Sequence, residues 1–461
     1  MKNKKLFGTD GIRGRVDVWP MTPEFILKIG KVLAHVLHKE KERRVFIAKD
    51  TRKSGDVLEA ALAAGLASEG VDILLGGIIP TPGVAYLTRE YKITSGVVIS
   101  ASHNPYQDNG LKFFGPDGFK LSDRTEKEIE EMILSRETDL PRITEGWGRI
   151  QRDREAKTLY LEFLKQTIPP SIDLRGLKVV TDCANGALSE IIPLLFDELG
   201  LEVIPIHCHP DGRNINLCCG ALHPEGASEV VKEMGADIGF AFDGDGDRVI
   251  AIDEKGKIVD GDRIMAILAK SMKEKGELKG DLVITTLMSN LGLELCFRGM
   301  GISMIRTKVG DRYVLEEMQR QGAVLGGEQS GHIILLNEST TGDGTLTALK
   351  LLSTMTFSNT PLSELAKIME PIPQILLNIK VKDKLPLEEI EKIQKAITDI
   401  ENELGSEGRV LVRYSGTEPL CRIMIEGLSE ERISLLAHQL AETIEKEIDH
   451  AVLGVLNETQ D

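Results

Sequence analysis

An α/β fold in which one strand–helix–strand unit recurs, closed by a smaller α+β domain, is predicted by three observations. The chain has 461 residues, of which 41% are apolar, so at ~100–200 residues per domain it can build roughly two to four separate cores. A short Val/Ile-rich run, an amphipathic helix and a second apolar run ending in a Gly- or Ser-rich loop occur three times in succession. The segment after residue 370 abandons that rhythm for a different order of elements.

In the first copy the apolar runs are residues 44–48, 72–75 and 96–100, with a helix over 55–69. The second has runs at 177–181, 203–206 and 238–242 and a helix over 188–199. The third has runs at 282–286 and 303–306 and a helix over 290–298, ahead of a loop at 326–332. Strands alternating with helices of this length imply βαβ units and largely parallel sheets buried on both faces. Ligands of such sheets sit outside the carboxyl ends of the strands, so the loops after the strands are where chemistry is expected. Beyond residue 370, a strand at 374–381 precedes a helix over 387–404 that carries Ile390, Ile393, Ile397 and Ile400 at helical spacing. Strands at 409–414 and 421–426 flank a turn, and a last helix bears Ile433, Leu436, Leu440 and Ile444 on one stripe. That order predicts an antiparallel α+β domain. Linkers are expected at 137–154, near 254–260 and at 369–374.

With 56 basic and 72 acidic side chains the net charge is −16. A general nucleic-acid binder is excluded, because that affinity comes from clustered Lys and Arg. An anionic substrate remains compatible if a few cations converge on one cleft. The basic start MKNKK leads into LFGTDGIRG instead of an apolar core, unlike a signal peptide. The most apolar stretch, 71–87, is interrupted by Gly76, Gly77, Pro80, Pro82 and Gly83, so no membrane span is expected. The cysteines, Cys183, Cys208, Cys218, Cys219, Cys296 and Cys421, form no C-x-x-C pair. Reduced thiols and a cytoplasmic location are the expectation.

Four loops carry chemistry. Asp243-Gly-Asp245-Gly-Asp247-Arg248 follows the run IGFAF and places three carboxylates at alternate positions between glycines. Residues two apart project to one side of an extended loop, and hard oxygen ligands suit Mg²⁺ or Ca²⁺. An acidic turn pointing into solvent is the plainer reading, but three like charges this dense repel one another without a cation. An EF-hand needs Gly where Arg248 stands and helices where strands are expected. An aspartyl-phosphate loop of the haloacid-dehalogenase type needs Thr or Val where Gly246 stands, and the loop alone leaves that reading open. In Ser100-Ala-Ser102-His103-Asn104-Pro105 the serines enter a turn marked by Asn-Pro. Taken alone, Ser102 reads more readily as a backbone-bonding turn residue than as a nucleophile, and no G-x-S-x-G elbow is present. A phosphoserine facing a divalent cation is nonetheless a competent phosphoryl donor. Gly326-Gly-Glu328-Gln-Ser330-Gly331-His332 offers groups able to bond sugar hydroxyls, and Arg413-Tyr-Ser415-Gly416-Thr417-Glu418-Pro419 describes a phosphate cradle and a surface turn equally well. Arg13 in GTDGIRG and Lys112 in DNGLKFF add cations.

Taken in order, FGTDGIRG, SASHNP, DGDGDR, TKVGD, GGEQSGH and RYSGTEP resemble the α-D-phosphohexomutase family over nearly the whole chain. The resemblance implies an isomerase of four domains around a central cleft, three α/β domains at 1–153, 154–256 and 257–369 and an α+β domain at 370–461. It implies interconversion of glucosamine 6-phosphate and glucosamine 1-phosphate through a phosphoserine enzyme and a bisphosphate, feeding UDP-N-acetylglucosamine formation. Mannose and glucose phosphates are the alternative substrates within the family, and a Ca²⁺-binding interaction module is the alternative outside it. Residue by residue, Ser102 resembles the phosphorylated nucleophile, and Asp243, Asp245 and Asp247 the Mg²⁺ ligands, with Ser102 as a further ligand to one ion per chain. Arg13 and Arg248 resemble the cations around the transferring group, and Lys112 and His332 the acid/base candidates. Glu328 and Ser330 resemble ligands of the sugar hydroxyls; Arg413, Ser415, Gly416, Thr417 and Arg422 resemble the clamp on the second phosphate. Asp311 in TKVGD suits the branch that acts on glucosamine. A sugar 1,6-bisphosphate as priming donor and a monomer or homodimer complete the expectation.

Overall fold

The computed structural model describes residues 6–8, 10–39, 43–134, 146–381, 384–414 and 420–458. The chain divides into a larger unit, Met1–Ser289 with Phe297–Ile368, and a smaller one, Asn290–Cys296 with Met369–Asp461. The larger unit holds three sheets. The first comprises β1 (Ile12–Arg15), β2 (Arg44–Lys49), β3 (Asp72–Ile78), β4 (Ser95–Ile99), β5 (Asp108–Phe114) and β6 (Ile150–Arg152), in the order β1-β5-β4-β2-β3-β6. The second comprises β7 (Lys178–Asp182), β8 (Glu202–Ile206), β9 (Ile238–Phe242), β10 (Val249–Asp253) and β11 (Ile258–Val259), in the order β11-β10-β9-β7-β8. The third comprises β12 (Leu282–Thr286), β13 (Ser303–Thr307), β14 (Leu325–Gly327) and β15 (Ile333–Leu335), in the order β13-β12-β14-β15.

One arrangement underlies all three. The leading strand (β2, β7 or β12) is central and runs parallel to the next two strands. A fourth strand then turns back antiparallel to the last of them: β5 on β4, β10 on β9, β15 on β14. The inner parallel strands β2, β4, β7, β9 and β12 are buried along most of their length because helices cover both faces, and Ile238–Phe242 is buried at every position. Where helix Gly55–Ser68 crosses helix Pro23–Val36, Gly30 and Gly65 permit the approach. A methyl group on Gly65 would stand 2.2 Å from the Leu27 carbonyl oxygen, and one on Gly30 would stand 2.5 Å from that of Leu62.

Two expected linkers contain structure. Strand β6 pairs with β3 inside the 137–154 segment, whose residues 137–145 lie outside the described residues. Strand β11 pairs with β10 at 258–259. Both are short edge strands, and β6 is exposed throughout, so neither leaves an apolar alternation to read.

The smaller unit has β16 (Gln374–Lys380), β17 (Gly408–Tyr414) and β18 (Leu420–Gly427) in the antiparallel order β16-β18-β17. Helices Glu391–Leu404 and Glu430–Glu458 cover it. Ile393, Ile400, Ile433, Leu436, Leu440 and Ile444 pack on Ile423 and Ile425, each buried side chain stabilising the unit by roughly 1.5–3 kcal/mol. Among the described residues no helix is long and apolar enough to cross a membrane.

Candidate active site

In each repeat of the larger unit, the loop joining the last parallel strand to the antiparallel strand occupies the same topological position. It is 100–107 in the first sheet, 243–248 in the second and 328–332 in the third. These three loops meet. Ser102 Oγ donates to Asp243 Oδ2 at 2.6 Å, across 141 residues of chain. His332 Nδ1 stands 3.5 Å from Asp247 Oδ1, and the Val249 amide donates to the Gly331 carbonyl at 3.1 Å.

Ser102 is 1% exposed and its φ is 51°, a left-handed conformation that a non-glycine residue adopts at a cost. Its neighbours hold it there. Its amide donates to Ser100 Oγ at 2.9 Å, and its carbonyl accepts from Arg52 Nη2 and Asn216 Nδ2, both at 2.9 Å. Arg52 also donates to the carbonyls of Asn104 and Asp108 at 2.8 and 3.0 Å, and its Nε pairs with Asp50 Oδ2 at 2.9 Å. Asp50 in turn accepts from Ser100 Oγ at 2.6 Å. His103 Nδ1 lies 3.3 Å from Ser102 Oγ, and burial, then Arg248 and Arg13, push that imidazole down to about 4.

The aspartate loop is buried as well, with Asp243, Asp245 and Asp247 at 1%, 0% and 3% exposure. An oxygen of each lies within 4.8 Å of the others. Burial, then the charges of Asp247 and Asp245, raise the Asp243 carboxyl well above its ordinary range. Asp245 Oδ1 and Asp247 Oδ1 are buried without a hydrogen-bond partner. Orphaned carboxylate oxygens converging this closely have the donor chemistry of a hard divalent cation site, so the residues fit a metal ion. Strands, not helices, flank the loop, which ends the EF-hand reading. Lys112 reaches in from β5, its Nζ 2.8, 2.9 and 3.0 Å from Asp245, Asp247 and Asp10. Burial would weaken this ammonium, but Asp10, Asp245 and Asp247 outweigh it and hold the pKa well above the usual lysine range. Gly110 makes room for Arg13, whose guanidinium pairs with Asp10 and donates to the Ala101 carbonyl at 3.4 Å. The Arg248 amide donates to Asp243 Oδ1 at 3.1 Å, and its Nε stands 3.8 Å from Asp247 Oδ1.

In the third loop, Glu328 accepts from the Gly310 amide at 3.1 Å and from Ser330 Oγ at 3.2 Å. His332 Nε2 accepts from the Gly342 amide at 3.1 Å and stands 3.7 Å from Asp311 Oδ2. Burial opposes the charged imidazole, yet Asp247, Asp311 and Glu328 raise its pKa. Lys120 bridges Asp10 and Asp311. Thus Ser102, Lys112, Arg13, Arg248, Glu328, Ser330, His332 and the three aspartates form one assembly. In the smaller unit, Arg413 and Arg422 are cross-strand partners on β17 and β18, and burial, then the Arg422 charge, lower the Arg413 pKa. Ser415, Gly416 and Thr417 lie outside the described residues. Sequence reasoning missed Asp10, Asp50, Arg52, Lys120 and Asn216. Asp50 and Arg52 at least follow β2 directly, at a carboxyl end where ligands gather.

Three like-built sheets with their acidic, basic and hydroxyl groups pooled at equivalent loops, plus an α+β unit, define a phosphohexomutase, an isomerase of sugar phosphates. Models described as "Phosphoglucomutase/phosphomannomutase" match the chain in order: alpha/beta/alpha domain I at residues 4–139, domain II at 158–256, domain III at 260–372 and the C-terminal domain at 376–443. The chain belongs to the phosphoglucomutase/phosphomannomutase family. It is 52% identical over 453 residues to the phosphoglucosamine mutase of Geobacter sp. (strain M21), covering 98% of this chain and 100% of the relative. It is 50% identical over 446 residues to that of Myxococcus xanthus (strain DK1622), covering 96% and 97%. Among solved structures, a phosphoglucomutase/phosphomannomutase family protein from Burkholderia thailandensis shares the fold with a TM-score of 0.81 at 24% identity, over 96% of this chain and 97% of that one. The Aspergillus fumigatus N-acetylphosphoglucosamine mutase, solved with GlcNAc-6P and magnesium, has a TM-score of 0.67 at 16% identity, over 96% of each chain.

Proposed function

We propose that the protein interconverts glucosamine 6-phosphate and glucosamine 1-phosphate, with phospho-Ser102 as the phosphoryl donor. The observation that carries the reading is Ser102 Oγ held 2.6 Å from Asp243 at the edge of a buried aspartate triad. Relatives about half identical over nearly the full chain are named phosphoglucosamine mutase, which supports the sugar. Asp243, Asp245, Asp247 and the Ser102 oxygen would hold Mg²⁺, which when bound supplies charge neutralisation for phosphoryl transfer.

The chain's own residues do the rest. The bond from Ser102 Oγ to phosphorus breaks as one forms to the free hydroxyl oxygen of the sugar monophosphate; that hydroxyl gives up its proton, the Ser102 oxygen takes one up, and a bisphosphate results. After that intermediate turns over, its other phosphate returns to Ser102 and the isomeric monophosphate leaves. A sugar 1,6-bisphosphate can prime the serine by the same transfer. Arg13 and Arg248 supply positive charge at the transferring group, and Lys112 is a fixed ammonium that helps hold the Asp247 carboxyl well below its ordinary range despite burial. His332, poised between Asp247 and Asp311, is the better proton exchanger of the two acid/base candidates. Glu328 and Ser330 orient the sugar hydroxyls. The remote phosphate is assigned to Arg413, Arg422, Ser415, Gly416 and Thr417, where a guanidinium fork and turn hydroxyls suit phosphate oxygens.

The test is a coupled assay on glucosamine, glucose and mannose 1-phosphates with phosphorylated enzyme, alongside phosphopeptide mapping. The expected result is acid-stable phosphate on Ser102 and the highest kcat/KM for the glucosamine substrate, by about tenfold or more. A preference for mannose or glucose phosphate would reassign the substrate. An acid-labile acyl phosphate on Asp243 would replace the mechanism.

A further inference from the structure

A second cluster of ligand-type side chains lies in the second repeat, apart from the aspartate loop. Asp182 ends β7, His207 directly follows β8, and Cys219 precedes the short turn of helix at Gly220–Leu222. A carboxylate oxygen of Asp182, a ring nitrogen of His207 and Cys219 Sγ all lie within 4.8 Å of one another. The carboxylate is pre-positioned by backbone donors: Ala184 N bonds Oδ1 and Gly220 N bonds Oδ2, each at 2.9 Å. His207 Nδ1 is 3.0 Å from Oδ2, and that imidazole is 39% exposed while Asp182 and Cys219 are buried. Of the six cysteines, Cys219 belongs to this cluster, while Cys183 and Cys208 are the chain neighbours of Asp182 and His207. Cys208, half-buried beside His207, donates from Sγ to the Ile206 carbonyl at 3.3 Å.

A loop-fastening role accounts for the two backbone bonds to Asp182 and for the His207 pair. It gives Cys219 nothing to do, and it does not require nitrogen, oxygen and sulfur donors from three separate segments to converge beside an open edge. That mixed set selects against Mg²⁺ and Ca²⁺, which take oxygen, and for ions of the zinc class, which take thiolate and imidazole. We propose that Asp182, His207 and Cys219 form a binding site for a thiophilic divalent cation, chemically distinct from the all-oxygen triad of Asp243, Asp245 and Asp247. Binding displaces the Cys219 thiol proton to solvent and leaves one coordination position at the exposed side of His207 for water. The site has a mechanical connection to the serine loop. The Asn216 amide donates to the Ala184 carbonyl at 2.9 Å, and its side chain donates to the carbonyls of Ser102 and Asn104 at 2.9 and 3.0 Å. A cation there ties the segment that follows Asn216 to the ends of β7 and β8.

The experiment titrates the full-length protein with Co²⁺ as the probe, in excess Mg²⁺ to occupy oxygen sites. Wild type is expected to bind with near-ultraviolet thiolate-to-cobalt absorption. Cys219→Ser should abolish that absorption, and His207→Ala should weaken binding by about tenfold or more, with thermal melts showing that each variant is folded. Asp243→Asn and Cys208→Ser should keep the absorption. No thiolate absorption in wild type, its survival in Cys219→Ser, or its loss in Asp243→Asn would each overturn the assignment.

Discussion

The serine loop and the aspartate loop fill the same position in two copies of one sheet, yet they are held in different ways. The serine loop hangs from side chains: Arg52 and Asn216 donate to its carbonyls, and Asp50 fixes Arg52 and Ser100. The aspartate loop is bound backbone to backbone. Thr81 N donates to the Asp245 carbonyl at 2.9 Å, Ala187 N to that of Gly244 at 2.8 Å and Gly344 N to that of Gly246 at 3.0 Å. The difference follows from charge. A loop with three buried carboxylates is placed most economically by neutral amides on its carbonyls, leaving Asp245 Oδ1 and Asp247 Oδ1 for a cation. A neutral serine loop in a left-handed conformation tolerates, and uses, a buried guanidinium. One loop is therefore vulnerable to loss of a side chain, and the other to gain of one.

The largest effect should come from the group the two loops share. Ser102→Ala removes one hydroxyl, so turnover is expected to fall by roughly 10⁴-fold or more, with a melting temperature close to wild type. Near-normal mutase activity would place the phosphoryl donor elsewhere. Next comes the support of the serine loop. Arg52→Met strips a buried ion pair of its cation, leaving Asp50 without its counter-charge and the carbonyls of Ser102, Asn104 and Asp108 each short of a donor, which should cost about 3–5 kcal/mol in denaturant unfolding. Adding Asp50→Asn should recover part of that stability but not the turnover, because the Ser102 carbonyl keeps only Asn216 as a side-chain donor. Full recovery of both would show that Arg52 matters only as a counter-ion.

The aspartate loop offers a pH-dependent probe. Asp343 caps helix Gly344–Ser358 by accepting from the Leu346 amide at 2.9 Å, and it accepts from Tyr160 OH at 2.8 Å. The first amide of that helix holds Gly246 in place. Burial pushes this carboxyl up to about 6 from an ordinary 3.8. Between those values it is protonated in the folded protein and ionised in the unfolded chain, so its contribution to stability falls as pH rises through the window and is constant above it. The total is about 3 kcal/mol. Asp343→Asn keeps an acceptor for the cap and should flatten the slope of melting temperature against pH between about pH 4 and 6. An unchanged slope would remove Asp343 as its source.

What was legible follows from how far each feature reaches along the chain. The inner parallel strands are legible because they are buried on both faces, and runs such as Ile238–Phe242 and Leu282–Thr286 have no other simple reading. The three aspartates and Ser102 were legible because short-range spacing with glycine, or a turn-forming Asn-Pro, is itself the chemical device. Arg52, Asn216, Asp10 and Lys120 were not. Arg52 meets Ser102 across 50 residues and Asn216 meets it across 114, while Lys120 meets Asp311 across 191. No local pattern encodes such meetings. The antiparallel strands β5, β10 and β15 lie outside the parallel repeat and its loops, so that repeat does not announce them.

The smallest expected effect tests the backbone side of the comparison most cleanly. Gly186 lies against the aspartate loop, and a methyl group added there would stand 2.3 Å from the Gly244 carbonyl oxygen and 2.7 Å from its Cα. Those are main-chain atoms, so no side chain can swing aside, and the Ala187 to Gly244 hydrogen bond at 2.8 Å must lengthen. Gly186→Ala should cost about 1–3 kcal/mol in unfolding. It should also raise the Mg²⁺ concentration needed for half-maximal turnover, because the spacing among Asp243, Asp245 and Asp247 depends on where the Gly244 carbonyl rests. Glycine at this point excludes a positive-φ explanation, since Gly186 is not among the left-handed residues, so a loss of stability reports crowding alone. A variant with wild-type stability and an unaltered metal requirement would mean that the aspartate loop has slack its close backbone packing denies, and the contrast between the two loops would fail at that contact.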